Sequence, residues 1–223
     1  MKLLLRLTTI LLGMAMGLCV TAQQRQIRGI DVSHHQGRID WTKVASDNIA
    51  FVYIKATEGK TYVDPHFREN VKGACNAGLW VGAYHYFRMT STPCEQFNNF
   101  KQATKGLKMT LIPMIDVETG DGYSIQKVQK CLDELIALMK KEYGVLPMIY
   151  GTQRSYNTFC AHKYNHHHLY IGRYRSSEPP VIFGNGTYTI WQYTENGRVQ
   201  GIPKEVDLCK FHPKHSLSEI RMK

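Results

Sequence analysis

Four acidic side chains interrupt apolar segments of this 223-residue chain: Asp31, Asp116, Glu118 and Asp207. Carboxyl groups inside apolar segments are costly unless they are paired or take part in function. Asp116 and Glu118 lie two residues apart, so on a strand their side chains share one face and their α-carbons are about 6.6 Å apart. Carboxyls this close cannot all ionise easily, and the pKa of at least one should rise. A protonated carboxyl beside an ionised one is the pair of groups that glycoside hydrolysis uses.

An acid pair of this kind also occurs in the salt-bridge networks of loops, so the elements that carry the carboxyls decide between the two interpretations. Eight short, β-rich apolar segments are spaced fairly evenly along the chain. They are Ile27–Val32, Ala50–Ala56, Trp80–Phe87, Thr110–Val117, Leu146–Tyr150, His168–Tyr174, Tyr188–Tyr193 and Glu205–Phe211. Several are continuous apolar runs, which is typical of strands covered on both faces in parallel α/β sheets.

Helical patterns separate the first five of these strands. The longest covers residues 124–143, with apolar side chains on one face and Gly144 as its stop. Asp64-Pro65 predicts the start of an earlier helix, which Gly78 ends. Other helical patterns are predicted at 40–47, 93–105 and 152–162. After His168 the alternation stops, and loops join the last three strands.

Strands and helices that alternate along one continuous stretch predict a single α/β domain, a (β/α)-barrel with eight strands and missing helices in the C-terminal third. The active site of such a barrel lies at the carboxyl ends of its strands. Asp31, the Asp116–Glu118 pair and Asp207 come from three separate strands. We therefore expect all four carboxyls to meet at one end of the barrel, which favours a catalytic site over an unrelated surface network.

Aromatic and polar residues near the same strand ends are candidates for binding a sugar. Aromatic faces stack on the C–H surfaces of sugar rings, although each aromatic residue alone is more often part of the core. Lys55 either supports the site or pairs with a neighbouring acid. The predicted substrate-binding residues are Tyr84, Tyr86, His85, Tyr150, Trp191, Gln192 and Lys55.

The N-terminal segment has the pattern of a secretory signal peptide. Lys2 and Arg6 precede a short apolar run, and Val20-Thr21-Ala22 supplies small residues at the cleavage positions. We predict cleavage after Ala22, which would leave residues 23–223 as one exported domain in an extracellular or periplasmic compartment. The apolar run is short for a membrane span and no second run follows, so no integral membrane association is expected after cleavage.

The chain is basic, with a formal net charge of +10, or +8 without residues 1–22. A positive surface suits an anionic partner, and for an exported protein a cell-wall polymer is favoured over nucleic acid, because no basic stripe with interleaved aromatics is present. A basic surface without a specific partner is the alternative. Neither the cysteines nor the histidines at 162 and 166–168 have a metal-ligand spacing, so no metal or organic cofactor is expected.

Several motifs together resemble glycoside hydrolase family 25, the Chalaropsis-type lysozymes or N-acetylmuramidases. They occur in the family's order and span nearly the whole chain after residue 22. The matching stretches are Gly29–Ser33 with Gln36-Gly37, Phe51–Gly59, Ala77–Leu79, Gly82–Phe87, Asp116–Glu118, Trp191–Tyr193 and Val206–Leu208. Cys209 departs from the pattern, since the family resemblance leads us to expect Asn there.

The resemblance implies an irregular, flattened (β/α)-barrel that hydrolyses the β-1,4 bond from N-acetylmuramic acid to N-acetylglucosamine in peptidoglycan. It implies that Glu118 is the proton donor, that Asp116 is its partner carboxylate, and that Asp31 and Asp207 are the other acids of the site. Asp116 has two candidate roles: it attacks the anomeric carbon, or it orients the substrate's own 2-acetamido group as the nucleophile. Both routes retain configuration, and the spacing in sequence does not choose between them.

Two other classes of function remain open from the sequence. A catalytically silent peptidoglycan-binding module would share the fold, but binding alone does not require the cluster of Asp31, Asp116, Glu118 and Asp207. A hydrolase of chitin-like glycans would share the chemistry. A monomeric protein acting on peptidoglycan is the interpretation that we carry forward.

Overall fold

The computed structural model describes residues 26–222. The predicted signal peptide at 1–22 lies outside these residues. Nine strands in the described range form one sheet. They are β1 (Arg28–Val32), β2 (Phe51–Glu58), β3 (Tyr62–Val63), β4 (Trp80–Tyr86), β5 (Met114–Asp116), β6 (Met148–Thr152), β7 (Leu169–Gly172), β8 (Ile190–Gly197) and β9 (Val206–Phe211).

Eight of these strands close into a barrel, because β1 pairs with β2 on one side and with β9 on the other. Neighbouring strands are parallel from β1 round to β8, whereas β9 is antiparallel to both β1 and β8. The two-residue strand β3 pairs only with β2, outside the closed ring. The predicted eight-stranded α/β barrel is confirmed, with a short ninth strand and a reversed last strand as additions.

Helices pack on the outside of the barrel in its first two thirds. They are α1 (Trp41–Ser46), α2 (Phe67–Asn76), α3 (Pro93–Thr104), α4 (Ile125–Tyr143) and α5 (Gln153–Phe159). From β7 to residue 222 the only helical elements are single 3-10 turns such as Leu217–Ile220, so the predicted loss of helices in the C-terminal third is confirmed. None of the described helices has the length and apolar character needed to cross a membrane.

Local signals explain why α4 begins and ends where the sequence predicts and why α2 begins later than predicted. The backbone N–H of Lys127 donates to the Ser124 hydroxyl, and Gly144 ends α4 with a left-handed φ of 71°, as the sequence predicts. In contrast, α2 begins at Phe67 rather than directly after Asp64. The Asp64 carboxylate accepts hydrogen bonds from the backbone of His34 as well as from that of His66, so it fixes a loop ahead of the helix.

One predicted strand is much shorter in the structure. Residues 110–117 form a strand only at Met114–Asp116. Thr110 and Leu111 donate their N–H groups to the Val81 carbonyl of β4, and residues 110–112 also bond to the C-terminal segment. The Ile112 N–H donates to the Ile220 carbonyl at 2.9 Å, and the Met222 N–H donates to the Thr110 carbonyl at 2.9 Å. The C-terminal segment therefore crosses the end of the barrel at which the parallel strands begin.

Two apolar cores follow from the alternation of side chains along the strands. Outward residues such as Val52 and Ile54 pack against the helices, while inward residues such as Phe51 and Tyr53 fill the barrel. Strands buried on both faces explain the continuous apolar runs in the sequence. Gly82 allows this inner packing, since a Cβ there would lie 2.3 Å from the Tyr53 ring.

Candidate active site

The four predicted acids line one pocket of about 220 Å³ at the carboxyl ends of the parallel strands. Asp31 occupies an inward position of β1, between outward Ile30 and Val32. Asp116 ends β5, and Glu118 follows two residues later on the same face. The sequence alone predicts that these side chains lie close together, because the strand ends of a parallel barrel meet at one rim.

Asp207 reaches this rim by a route that the sequence analysis did not foresee. Its strand β9 runs antiparallel to its neighbours, so the beginning of β9, rather than its end, lies at the rim. Asp207 is the second residue of β9 and pairs directly with Asp31 across the ladder. The assumption that the eighth strand is parallel is therefore wrong, although its acid faces the same pocket.

Asp31 and Asp207 form a pair of neighbouring acids. Burial is the largest cause that raises the pKa of both carboxyls, and the charge of Asp31 raises the pKa of Asp207 further. Asp31 also accepts hydrogen bonds from the Tyr170 hydroxyl at 2.6 Å and from the Gln192 amide at 2.9 Å, which favour its ionised form. The pKa of Asp207, at about 9, is therefore raised further than that of Asp31, at about 6.

Asp116 is the most deeply buried of the four acids, with 6% of its surface exposed. Its Oδ1 has no hydrogen-bond partner among the described residues. Burial raises its pKa well above the ordinary value, and the nearby charges of Glu118 and Asp31 raise it further. Asp116 nevertheless lines the pocket, so its carboxyl is placed to accept a hydrogen bond from a ligand there.

Glu118 is half-buried and accepts a hydrogen bond from the Tyr86 hydroxyl at 3.2 Å. Lys55 lines the same pocket, with its ammonium 5.0 Å from the centre of the Tyr86 ring. Glu58 holds this ammonium at 2.7 Å and also pairs with Arg88. The pocket thus has one fixed positive charge beside four carboxyls, and that charge lowers the pKa of Asp116 against the larger effects of burial and like charge.

Five of the seven predicted substrate-binding residues line the pocket: Tyr84, Tyr86, Tyr150, Gln192 and Lys55. Of these, Tyr150 and Gln192 also contact each other, because the Tyr150 hydroxyl donates to Gln192 Oε1 at 2.7 Å. Gly172 leaves room for that bond, since a Cβ there would lie 2.8 Å from the same oxygen.

The prediction that His85 and Trp191 contact the sugar is wrong, because both lie on outward positions of their strands. His85 is fully buried between the barrel and α3, where its ring bonds to Thr57 at 2.7 Å and Gln96 at 3.0 Å. Burial lowers the pKa of His85 to about 4. The Trp191 indole donates to the Arg173 carbonyl at 2.8 Å and packs under the Lys210 ammonium.

Sequence reasoning missed one tyrosine of the site, Tyr170, which lies inside the barrel and binds Asp31 through its hydroxyl. Counting inward positions from Asp31 and Asp116 could have indicated it. Tyr174, an aromatic residue at a predicted strand end that the predicted substrate-binding set leaves out, lines the mouth of the pocket with 43% of its surface exposed. His35, which the sequence left undecided, also lines the pocket.

This arrangement supports acid–base chemistry. Burial raises the pKa of Asp207 to about 9 and also raises that of Asp116, while Glu118 is more accessible than Asp116. Among the described residues, the one group of three close potential metal ligands lies elsewhere, at His168, His215 and Glu219. The pocket acids do not form such a group in residues 26–222.

Comparisons with known proteins show which family the chain resembles. The family model for glycosyl hydrolases family 25 matches residues 30–202. Lysozyme M1 from Streptomyces globisporus is 34% identical over 200 residues, covering 83% of this chain and 68% of that protein. An N,O-diacetylmuramidase from Arthroderma benhamiae is 26% identical over 228 residues, covering 88% of this chain and 92% of that protein. A bacterial lysozyme structure from Streptomyces coelicolor has a TM-score of 0.79 at 33% identity, covering 88% of this chain and 96% of that one.

Proposed function

We propose that this chain, which belongs to glycosyl hydrolase family 25, is an exported lysozyme that cuts the β-1,4 bond between N-acetylmuramic acid and N-acetylglucosamine. Membership makes it a glycoside hydrolase, and relatives named lysozyme or muramidase support peptidoglycan as the substrate. The observation that carries the proposal is the group of four carboxyls, Asp31, Asp116, Glu118 and Asp207, around one pocket.

Glu118 is the general acid in this proposal. It is less buried than Asp116. Water can therefore reach it in the later step, in which Glu118 activates a water molecule. The Tyr86 hydroxyl, which donates to Glu118 Oε2, fixes one oxygen and leaves the other to face the leaving group. Proton transfer to the glycosidic oxygen then accompanies bond cleavage.

Asp116 orients the 2-acetamido group of the substrate. Its carboxyl lines the pocket, where it accepts a hydrogen bond from the N–H of the acetamido group. Burial raises the pKa of Asp116, and this hydrogen bond favours the ionised form. The bond occupies the carboxylate and turns the acetamido oxygen toward the anomeric carbon, so the acetamido oxygen is the attacking atom. This supports substrate assistance over direct attack, both of which retain configuration.

The Asp31–Asp207 pair supplies a single negative charge at the other side of the pocket. Because Asp207 carries the shared proton, only Asp31 is ionised, and Tyr170 and Gln192 hold it in place. A fixed negative charge favours the positive charge that develops on the sugar ring.

The decisive test measures products released from purified peptidoglycan by residues 23–223 and by the Glu118→Gln variant. Mass spectrometry should find fragments with reducing N-acetylmuramic acid ends from the wild type, and the variant should be slower by about 10²–10⁴-fold. Glu134→Gln, on the exposed face of α4, is the matched control and should retain activity. Reducing N-acetylglucosamine ends, or cleavage of chitin in preference to peptidoglycan, would contradict the proposed specificity.

The proposal also includes export. Residues 1–22 have the pattern of a signal peptide, and the predicted mature domain is 23–223. N-terminal sequencing of the protein recovered outside the cytoplasm should find Gln23 as its first residue.

A further inference from the structure

A group of metal-binding side chains lies at the opposite end of the barrel from the acid pocket. His168 immediately precedes β7, and His215 and Glu219 follow β9 in the segment that crosses this end. One potential ligand atom from each lies within 4.8 Å of the other two. We call these three residues the floor cluster. The spacing of the histidines in sequence gave no indication of it, because the fold brings together residues about fifty positions apart.

The ring of His168 is oriented by a neighbour. Its Nδ1 lies 3.1 Å from the Thr189 hydroxyl, which leaves Nε2 to face a ligand. Metal-bound histidines are commonly held in this way through their second ring nitrogen.

The carboxylate of Glu219 is also oriented. Its Oε1 accepts hydrogen bonds from the Ser216 backbone at 2.8 Å and from the Ser216 hydroxyl at 3.1 Å. The second oxygen, Oε2, lies 2.7 Å from His215 Nδ1. These contacts fix both oxygens of the side chain, and a metal bound by Glu219 would replace the contact between Oε2 and His215.

We propose that the floor cluster binds a divalent transition metal of the Zn²⁺ class. Two imidazoles and one carboxylate are a ligand set that zinc uses in proteins. Ligation at about 2.0–2.1 Å places tetrahedral ligand atoms about 3.4 Å apart. Separations of up to 4.8 Å within the floor cluster close by up to about 1.4 Å, whereas the 2.7 Å contact between His215 Nδ1 and Glu219 Oε2 opens by about 0.7 Å. A cavity of about 300 Å³, lined by His168 and His215, admits water as the fourth ligand.

The metal would tie the C-terminal segment to the barrel. That segment is held by backbone bonds from Ile112 to Ile220 and from Met222 to Thr110. A metal shared by His168 and the segment's own His215 and Glu219 adds a link to the start of β7. We therefore expect a structural site, distant from the acids that carry out hydrolysis, whose occupancy affects stability more than turnover.

The test uses untagged, metal-stripped protein of residues 23–223. Calorimetric titration with Zn²⁺ should give one equivalent bound with a Kd in the micromolar range or tighter, and Co²⁺ should give the visible absorption bands of a four-coordinate site. Saturating Zn²⁺ should raise Tm, because a ligand that binds only the native state stabilises it. Absence of Zn²⁺ binding up to millimolar concentration would overturn the proposal.

Three variants separate this site from adventitious binding. His168→Gln, His215→Gln and Glu219→Gln should each weaken Zn²⁺ binding by about tenfold or more. Glu219→Gln keeps an acceptor for Ser216, so it preserves the local fold. His66→Gln is the matched control, because His66 and Glu69 form a similar pair at 3.8 Å without a third ligand. Binding that is unchanged in all three variants, or equally reduced in the control, would overturn the assignment.

Discussion

At the scale of single residues, Asp116 combines deep burial, a raised pKa and an oxygen without a partner. Each of these properties costs free energy in the unliganded protein, because an unpaired buried carboxyl loses its hydration. A group that is held at such a cost and faces a pocket is expected to be used there. Asp116 should therefore contribute to activity while reducing stability.

The Asp116→Asn variant tests whether Asp116 contributes to activity while it reduces stability. At pH 7 the variant should unfold at a temperature higher by about 2–4 °C, corresponding to about 1 kcal/mol for a chain of this size, because the amide does not need to be protonated for burial. Hydrolysis should fall by about 10²–10³-fold, since the acetamido group loses its charged acceptor. Calorimetry and reducing-end assays measure the two effects. A variant less stable than the wild type would indicate that Asp116 is ionised and well solvated in the free protein.

The pKa of Asp207 gives a prediction with a defined sign. Burial and Asp31 raise this pKa from 3.8 to about 9, so the native state holds a proton that the unfolded chain releases near pH 4. Stability from this proton is fully present below pH 4 and is lost as pH rises toward 9. Each pH unit within this window lowers the free energy of unfolding by up to about 1.4 kcal/mol.

Asp207→Asn should remove most of this dependence, because an amide still donates to Asp31 but does not titrate. Thermal unfolding from pH 5 to pH 9 should show a shallower decline in Tm for Asp207→Asn than for the wild type. Glu134→Gln, an exposed substitution on α4, should follow the wild-type curve. Parallel curves for Asp207→Asn and the wild type would show that Asp207 is already ionised across this range.

At the scale of elements, small inward residues determine how the barrel is filled. Gly82 on β4 faces the ring of Tyr53 on β2, whose hydroxyl is fixed by a 3.1 Å hydrogen bond to the Ile112 carbonyl. Neither strand can move away without breaking the closed ladder. The inner core, which supports Tyr84 and Tyr170 beneath the pocket, therefore depends on the absence of a side chain at position 82.

Gly82→Ala should destabilise the protein by about 1–3 kcal/mol through overpacking. The double variant Gly82→Ala with Tyr53→Leu should be more stable than the sum of the single effects implies, because the smaller residue makes room for the new methyl group. Denaturant unfolding of the four proteins of this cycle measures the coupling. Additive effects would mean that the barrel relaxes around the methyl group without involving Tyr53.

The same elements show what the sequence could predict. Continuous apolar strands and one long capped helix identified the barrel, because burial on both faces and 3.6-residue periodicity are local properties. The register of Asp31, Asp116 and Glu118 followed from the rule that strand ends meet at one rim. Strict alternation along β4 could also have separated Tyr84 and Tyr86 from His85, which faces the helices.

Other features depend on pairing between distant segments. The reversed direction of β9 follows from the connection after β8, and the sequence of β9 itself carries no sign of direction. Residues 110–112, ahead of the short β5, bond to Val81 of β4 and to the C-terminal segment. Tyr170 binds Asp31 across 139 positions of sequence. Such contacts are set by closure of the whole barrel, so no local pattern predicts them.

At the scale of the whole molecule, an acidic pocket lies in a basic protein. The chain carries a formal net charge of +10, while four carboxyls surround the site. Positive charge away from the pocket attracts an anionic polymer, whereas the pocket itself favours cationic character in the reacting ring. Long-range attraction and local chemistry are thus separated in space, and they should respond differently to salt.

Ionic strength distinguishes these two contributions. Salt at about 0.1 M screens charges separated by more than about 10 Å, so the rate on intact, anionic cell walls should fall by about tenfold or more between low salt and about 0.3 M. The rate on short, soluble, uncharged glycan fragments should change little, because the contacts within the pocket are only a few ångströms long. Rates on both substrates, measured at one pH, provide the comparison. Equal salt dependence would place the effect in the acid cluster itself, and salt-independent rates on both would show that the basic surface does not contribute to capture of the wall.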